Sequence, residues 1–110
     1  MIRKVDHLGI AVRSIEEARG FYEALGLTLE PIEEVPQEQV RVAMIRCGET
    51  RLELLEPTDP DSPIARFLDQ RGPGVHHVCL GSDDLDGDDR RLREGGVRLL
   101  RAAPTAGAGG

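Results

Sequence analysis

The chain has 110 residues, room for one domain and a modest core, and its 14 basic against 20 acidic side chains give a formal charge of −6. That balance argues against nucleic acid as the main partner, which favours a basic face, but not against an anionic small molecule held by a few arginines. No apolar run approaches the roughly 20 residues of a membrane span. The charged opening Arg3-Lys4 and Asp6 has no signal-peptide character, and Cys47 and Cys79 read as buried free thiols, so the expected setting is cytoplasmic.

The first strand is Val5 to Val12. Leu8, Ile10 and Val12 fall on one face, and His7 lies on the other with the small residues Gly9 and Ala11. A polar ring among small neighbours implies room beside it. Ser14 is the expected cap of a helix with Glu16 and Glu17 in its first turn and Ile15, Ala18, Phe21, Tyr22 and Leu25 at helical spacing, stopped by Gly26. Leu27 to Val35, interrupted by Pro31, reads as a second strand. Val40, Val42 and Met44 alternate with Arg41, Ala43 and Ile45 in a third. Arg51 to Glu56 forms a fourth, in which Leu52 and Leu54 alternate with Arg51, Glu53 and Leu55. Residues 1–57 therefore make one βαβββ module.

Residues 58–74 read as a linker with a short helix, capped by Ser62 with Pro63 at its first position and made apolar on one side by Ile64, Phe67 and Leu68. Residues 75–110 repeat the opening pattern. At an offset of seventy, Val5 matches Val75, His7 matches His77, Leu8 matches Val78, and the register runs on to Leu29 and Leu99. A helix from near Asp84 to Glu94 follows, with acidic residues favoured at its start and Gly87 weakening its first turn; then comes a strand over Val97 to Arg101. The repeat calls for two more strands after about position 105. The second module is thus expected to be incomplete, either cut short or completed by strands of a partner. The fold class is α+β: tandem βαβββ modules in a half-open, curved mixed sheet with helices outside.

Two equivalent strands carrying His7 and His77 converge if the modules pack about a twofold. Glu53, flanked by Leu52 and Leu54, points away from the core those leucines enter. In Val75–Leu80 both faces are apolar, so parity does not choose between His76 and His77; the repeat chooses His77, leaving His76 as a helix-side neighbour or a group behind the ligand. Two imidazoles and a carboxylate suit a divalent first-row ion such as cobalt, zinc, manganese or nickel. The repeat counterpart of Glu53, a fourth donor, falls near position 123, beyond the last residue.

The string Val5-Asp6-His7-Leu8-Gly9-Ile10-Ala11-Val12 resembles the opening strand of the vicinal oxygen chelate (glyoxalase-like) superfamily, and within it most closely that of the methylmalonyl-CoA epimerases. Phe21-Tyr22, Leu25-Gly26-Leu27, Leu52-Glu53-Leu54-Leu55-Glu56-Pro57, Ser62-Pro63-Ile64-Ala65 and Gly74-Val75-His76-His77-Val78 support the likeness, and Gly107-Ala108-Gly109-Gly110 resembles the loop before the family's last two strands. The resemblance implies metal ligands at His7, Glu53 and His77, with cobalt the first choice of ion. It implies an acyl-CoA thioester substrate, epimerisation by alpha-proton abstraction through a metal-stabilised enolate, and a homodimer. A third-strand glutamate that some epimerases use as a base matches Val42 here, so the proton-transfer groups stay unassigned. Arg41, Arg46 and Arg51 are the candidates for the coenzyme A phosphates. The rivals are a glyoxalase I-like isomerase, an iron dioxygenase, or a metal-free binding or resistance module on the same scaffold.

Overall fold

The computed structural model describes residues 1–95. In chain order it contains β1 (Ile2–Ala11), α1 (Ile15–Ala24), β2 (Glu33–Val35), a single 3-10 turn (Pro36–Glu38), β3 (Val40–Cys47), β4 (Thr50–Pro57), α2 (Pro63–Arg71), β5 (Gly74–Ser82) and α3 (Leu85–Glu94). The strand expected over Val97–Arg101 and the Gly/Ala-rich end lie outside the described residues. The five strands form one mixed sheet in the order β2-β3-β4-β1-β5. β1 runs parallel to β4 and antiparallel to β5.

Alternation along the central strands fills both faces of this sheet. Ala43, Ile45 and Leu54 join Val12 and Ile15 beneath α1, while Val42, Met44 and Leu55 meet Ile64 and Leu68 of α2 on the opposite face. The ends of the helices are set locally. Ser14 accepts the amide of Glu17 at 3.3 Å, and the side chain of Glu56 accepts the first helical amide, Ile15, at 2.8 Å while also holding Arg41 at 2.9 Å. Gly26 ends the α1 segment at φ +87°, a conformation that glycine adopts without strain. The buried Ser62 caps α2 through the amide of Ile64.

The structure corrects several expectations. The second strand shortens to Glu33–Val35, preceded by one isolated bridge from Leu29 to Ile45. Pro31 has no N–H to give a ladder, so pairing to β3 stops after the Glu30 amide, which donates to the Met44 carbonyl at 2.8 Å, and resumes at Glu33. Of the residues at helical spacing from Ile15 to Leu25, Phe21 and Leu25 are 67% and 65% exposed. Only the stripe carrying Ile15, Ala18 and Tyr22 meets the sheet. Cys47, the last residue of β3, is exposed, and Cys79 is half-buried; both are free thiols. Gly87 has a positional reason to be small: a Cβ there would lie 2.1 Å from the Asp84 carboxylate that caps α3. Among the described residues, no helix is long and apolar enough to cross a membrane.

The parallel seam between β1 and β4 is tied by Asp6, whose carboxylate receives Arg51 at 2.8 Å and lies 2.9 Å from the His7 ring. The His7 and Arg51 contacts pull the Asp6 pKa from 3.8 to about 2. A depressed carboxylate pKa stabilises the fold above its unfolded value, and that contribution is lost as pH falls from about 4 to about 2. For this quarter-exposed side chain it amounts to on the order of 1–2 kcal/mol. Denaturant unfolding of Asp6→Asn should therefore show a smaller stability loss between pH 5 and pH 2 than the parent chain, by that amount. A core comparison tests the two-sided packing: Ile45→Ala should cost about 2–5 kcal/mol, while Phe21→Ala should stay within about 0.5 kcal/mol in the same unfolding measurement.

Candidate metal centre

The site lies on the α2 face of the sheet, over the neighbouring strands β4, β1 and β5. Gly9 is its geometric centre. It pairs with Glu53 on one side and with His77 on the other. Glu53 and His77 therefore stand level across a residue without a side chain, and His7 projects from the same face two residues earlier. A Cβ at Gly9 would come within 2.2 Å of His77 Cε1. The room that small neighbours implied beside His7 is filled by the second imidazole. The His7 and His77 rings meet edge to face with centroids 5.5 Å apart.

The candidate ligand atoms of His7, Glu53 and His77 all lie within 4.8 Å of one another. Glu53 is only 5% exposed. Its Oε2 sits 3.0 Å from His7 Nε2. Burial raises the Glu53 pKa, opposed by the nearby His7 and Arg51. Burial also pushes His77 down, reinforced by the adjacent His76 and His7, so the ring is held in the neutral form that a metal requires. An ionised Asp6 beside His7 Nδ1 is an acceptor only, so Nδ1 carries a proton, and the 3.0 Å contact of Nε2 with the Glu53 carboxylate holds only with a proton or a cation between them. The donor set thus fits a divalent ion: two imidazoles and one buried carboxylate converge, and their contact calls for positive charge.

A second group, Asp6, His7 and Cys79, also gathers within 4.8 Å. It is the poorer donor set. Asp6 already carries Arg51, and burial raises the Cys79 thiol, keeping it protonated.

Parity did not choose between His76 and His77, and the repeat left His76 as a helix-side neighbour or a group behind the ligand. The structure brings it to the cavity, behind His77. Gly9 pairs with His77 but Ile10 pairs with Val75, so His76 is an extra residue, a β-bulge that turns its ring toward the site. His76 Nδ1 lies 2.9 Å from His77 Nδ1, and the ring packs edge-on against Phe67 of α2. A matching irregularity on β1, where Val5 pairs with Leu80 but His7 with Cys79, makes Asp6 the extra residue beside His7. The role of Asp6 was not read from the sequence, and that of His76 only as one of two alternatives. The only trace of the bulges there is the polar pair at each site, Asp6-His7 and His76-His77.

Above these groups lies an open cavity of about 430 Å³, walled by Val42, Leu55 and Ile64 and by Glu38 of the 3-10 turn. Its rim is shaped by Gln39, which adopts a left-handed φ of 56°. The three arginines proposed for phosphate each hold a carboxylate: Arg41 pairs with Glu56 at 2.9 Å, Arg51 with Asp6 at 2.8 Å, and Arg46 with Glu30 at 3.2 Å.

Known proteins share this arrangement of chain and sheet. Residues 6–110 match the model of the glyoxalase/bleomycin resistance protein/dioxygenase superfamily. An uncharacterized protein of Bacillus subtilis, YqjC, is 40% identical over 99% of the chain and 79% of its own length. The mitochondrial methylmalonyl-CoA epimerase of Bos taurus is 37% identical over 97% of the chain, which spans 62% of that protein. A solved methylmalonyl-CoA epimerase in complex with methylmalonyl-CoA and NH4+ superimposes with a TM-score of 0.88 at 35% identity, over 98% of this chain and 80% of that one. With its βαβββ opening, its open mixed sheet and a family match running from Asp6 to the last residue, the chain belongs to the glyoxalase/bleomycin resistance protein/dioxygenase superfamily.

Proposed function

We propose that the chain is a metal-dependent epimerase that interconverts the (R) and (S) forms of methylmalonyl-CoA, with His7, Glu53 and His77 holding the ion. Cobalt is the first choice, with zinc, manganese or nickel as alternatives. The observation that carries this reading is the convergence of those three side chains within 4.8 Å on the floor of a cavity. Relatives named for this activity, one of them solved with methylmalonyl-CoA bound, support the substrate class. A cytoplasmic homodimer is part of the same proposal.

When bound, a divalent ion supplies Lewis-acid polarisation of a thioester carbonyl, which acidifies the neighbouring C–H bond. The chain's own groups set the conditions. His7 and His77 offer neutral nitrogen donors, and Glu53 offers the compensating charge. Val42, Leu55 and Ile64 form an apolar wall that excludes water from one side of the cavity. Val42 has no proton to move, so proton transfer belongs to groups other than this third-strand side chain. Of the three arginines, Arg46 is the cheapest to turn toward a phosphate. It is 77% exposed, and a pair so exposed contributes about 0–1 kcal/mol. Arg41 and Arg51 are tied to carboxylates that also serve the helix cap and the β1–β4 seam.

Isothermal titration with cobalt chloride tests the ligand set. His7→Ala and His77→Ala should each weaken binding by at least about 100-fold while the circular dichroism spectrum stays that of the parent; unchanged affinity in both rejects the assignment. Gly9→Ala should weaken binding by about 10–100-fold, because its methyl group displaces the His77 ring. The reaction itself is read from exchange of the alpha proton of methylmalonyl-CoA in deuterium oxide. Ion-dependent exchange is expected. Exchange equal with and without cobalt would reject metal dependence, and tight ion binding with no exchange would reject the substrate.

A further inference from the structure

The two candidate ligand histidines share a feature that their spacing alone does not require. Each is preceded by a polar residue that is the unpaired extra member of a β-bulge: Asp6 on β1 and His76 on β5. Each of these polar side chains approaches the Nδ1 atom of the following ring, and both distances are 2.9 Å. Asp6 and His76 also stand at the same seventy-residue offset as His7 and His77. An unbulged strand sends consecutive side chains to opposite faces, so these contacts depend on the two irregularities.

We propose that Asp6 and His76 are positioning residues that hold His7 and His77 in the Nδ1–H tautomer and so leave both Nε2 atoms as the donors to the ion. The chemistry differs between the two halves. A carboxylate has no proton to give, so Asp6 fixes the His7 tautomer outright. Arg51, 2.8 Å from the same Asp6 oxygen, keeps that carboxylate aimed. On the other strand, His76 accepts through its own Nδ1, which places the His76 proton on Nε2. Packing of the His76 ring against Phe67, with centroids 5.1 Å apart, limits its rotation. Free neutral histidine favours the opposite, Nε2–H tautomer, which would block the ring nitrogen that faces Glu53. Outer hydrogen bonds that orient a ligand imidazole are commonly worth 10–100-fold in metal affinity.

The inference rests on the ligand set proposed above, but its first readout does not. Nitrogen-15 NMR of the metal-free full chain reports the tautomer of each ring directly, without ion or substrate. The parent should show Nδ1–H at His7 and His77. Asp6→Ala should return His7 to Nε2–H and leave His77 unchanged; His76→Ala should do the reverse. Titration with cobalt chloride should then show affinity reduced about 10–100-fold in each variant. Asp6→Asn, whose amide oxygen still accepts from Nδ1–H, should recover affinity to within a few-fold of the parent. Arg51→Gln removes the same tie between strands but not the contact to the ring, so a merely structural role predicts equal losses in Arg51→Gln and Asp6→Ala. Equal losses, retention of the Nδ1–H tautomer in Asp6→Ala and His76→Ala, or cobalt affinity within twofold of the parent in both would overturn the proposal. Failure of the epimerase reading alone would leave the tautomers as described.

Discussion

The constraint on which the site depends is the absence of a side chain at Gly9. In a sheet, residues paired across three adjacent strands stand about 4.8 Å apart per step, so the two outer members of such a row are separated by the width of the middle one. At the level of Gly9 that row is Glu53, glycine, His77. Any larger residue would wall the carboxylate off from the imidazole. With glycine, the His77 ring leans over the central strand to within 5.5 Å of His7, and the gap between two outer strands becomes a meeting point for three donors. The parallel β1–β4 pairing fixes the level of Glu53, and the antiparallel β1–β5 pairing fixes that of His77.

Regular strands alone would have produced a poorer site. Ladder geometry gives each strand one residue in two on the cavity face. Three donors on three strands satisfy that rule, but no immediate neighbour could then support them. The bulges relax the rule at the two points where a histidine needs a partner. The cost is local loss of pairing on the β1–β5 seam. Elsewhere the sheet is held by β3–β4 pairing over the whole of β3 and by apolar residues on both faces. Two of the three register shifts on the β1–β5 seam fall beside the chemistry, the third lying at Ile2/Lys4, and the regular β3–β4 pairing carries the stability.

The pattern of the sequence made the candidate ligands legible, but what stands behind them only in part. His7 and Glu53 could be placed because parity is a property of one strand: each lies opposite its own strand's large apolar residues. His77 needed the seventy-residue register, since Val75–Leu80 is apolar on both faces. Asp6 escaped, and His76 stayed between two alternatives, because a bulge is a property of two strands together; no periodicity within either strand records that its partner has one residue fewer. The same limit explains Phe21 and Leu25. Helical spacing identifies an apolar stripe but not how much of its width the sheet can cover, and here Ile15, Ala18 and Tyr22 occupy the contact. Pro31, by contrast, acts through its own backbone, and its interruption of the second strand was visible from composition.

The electrostatics of the centre explain why a cation would belong there rather than merely fit. Glu53 is buried with a raised pKa, and the His7 nitrogen facing it has its other side fixed by a carboxylate. Without positive charge between them, the pair either holds a proton or sets a lone pair against a lone pair. Folding alone gains little from such an arrangement, because burying a carboxylate costs several kcal/mol that one neutral imidazole does not return. An apolar pair of similar volume would pack β4 against β1 at lower cost. The chain instead places Glu53, a buried carboxylate with a raised pKa, where His7 and His77 converge. A ligand that binds only the folded state returns stability as its concentration rises above the dissociation constant, by about 2.7 kcal/mol at a hundredfold excess. On that scale an ion bound here would relieve the cost of burying Glu53, and stability and site would become one energetic problem.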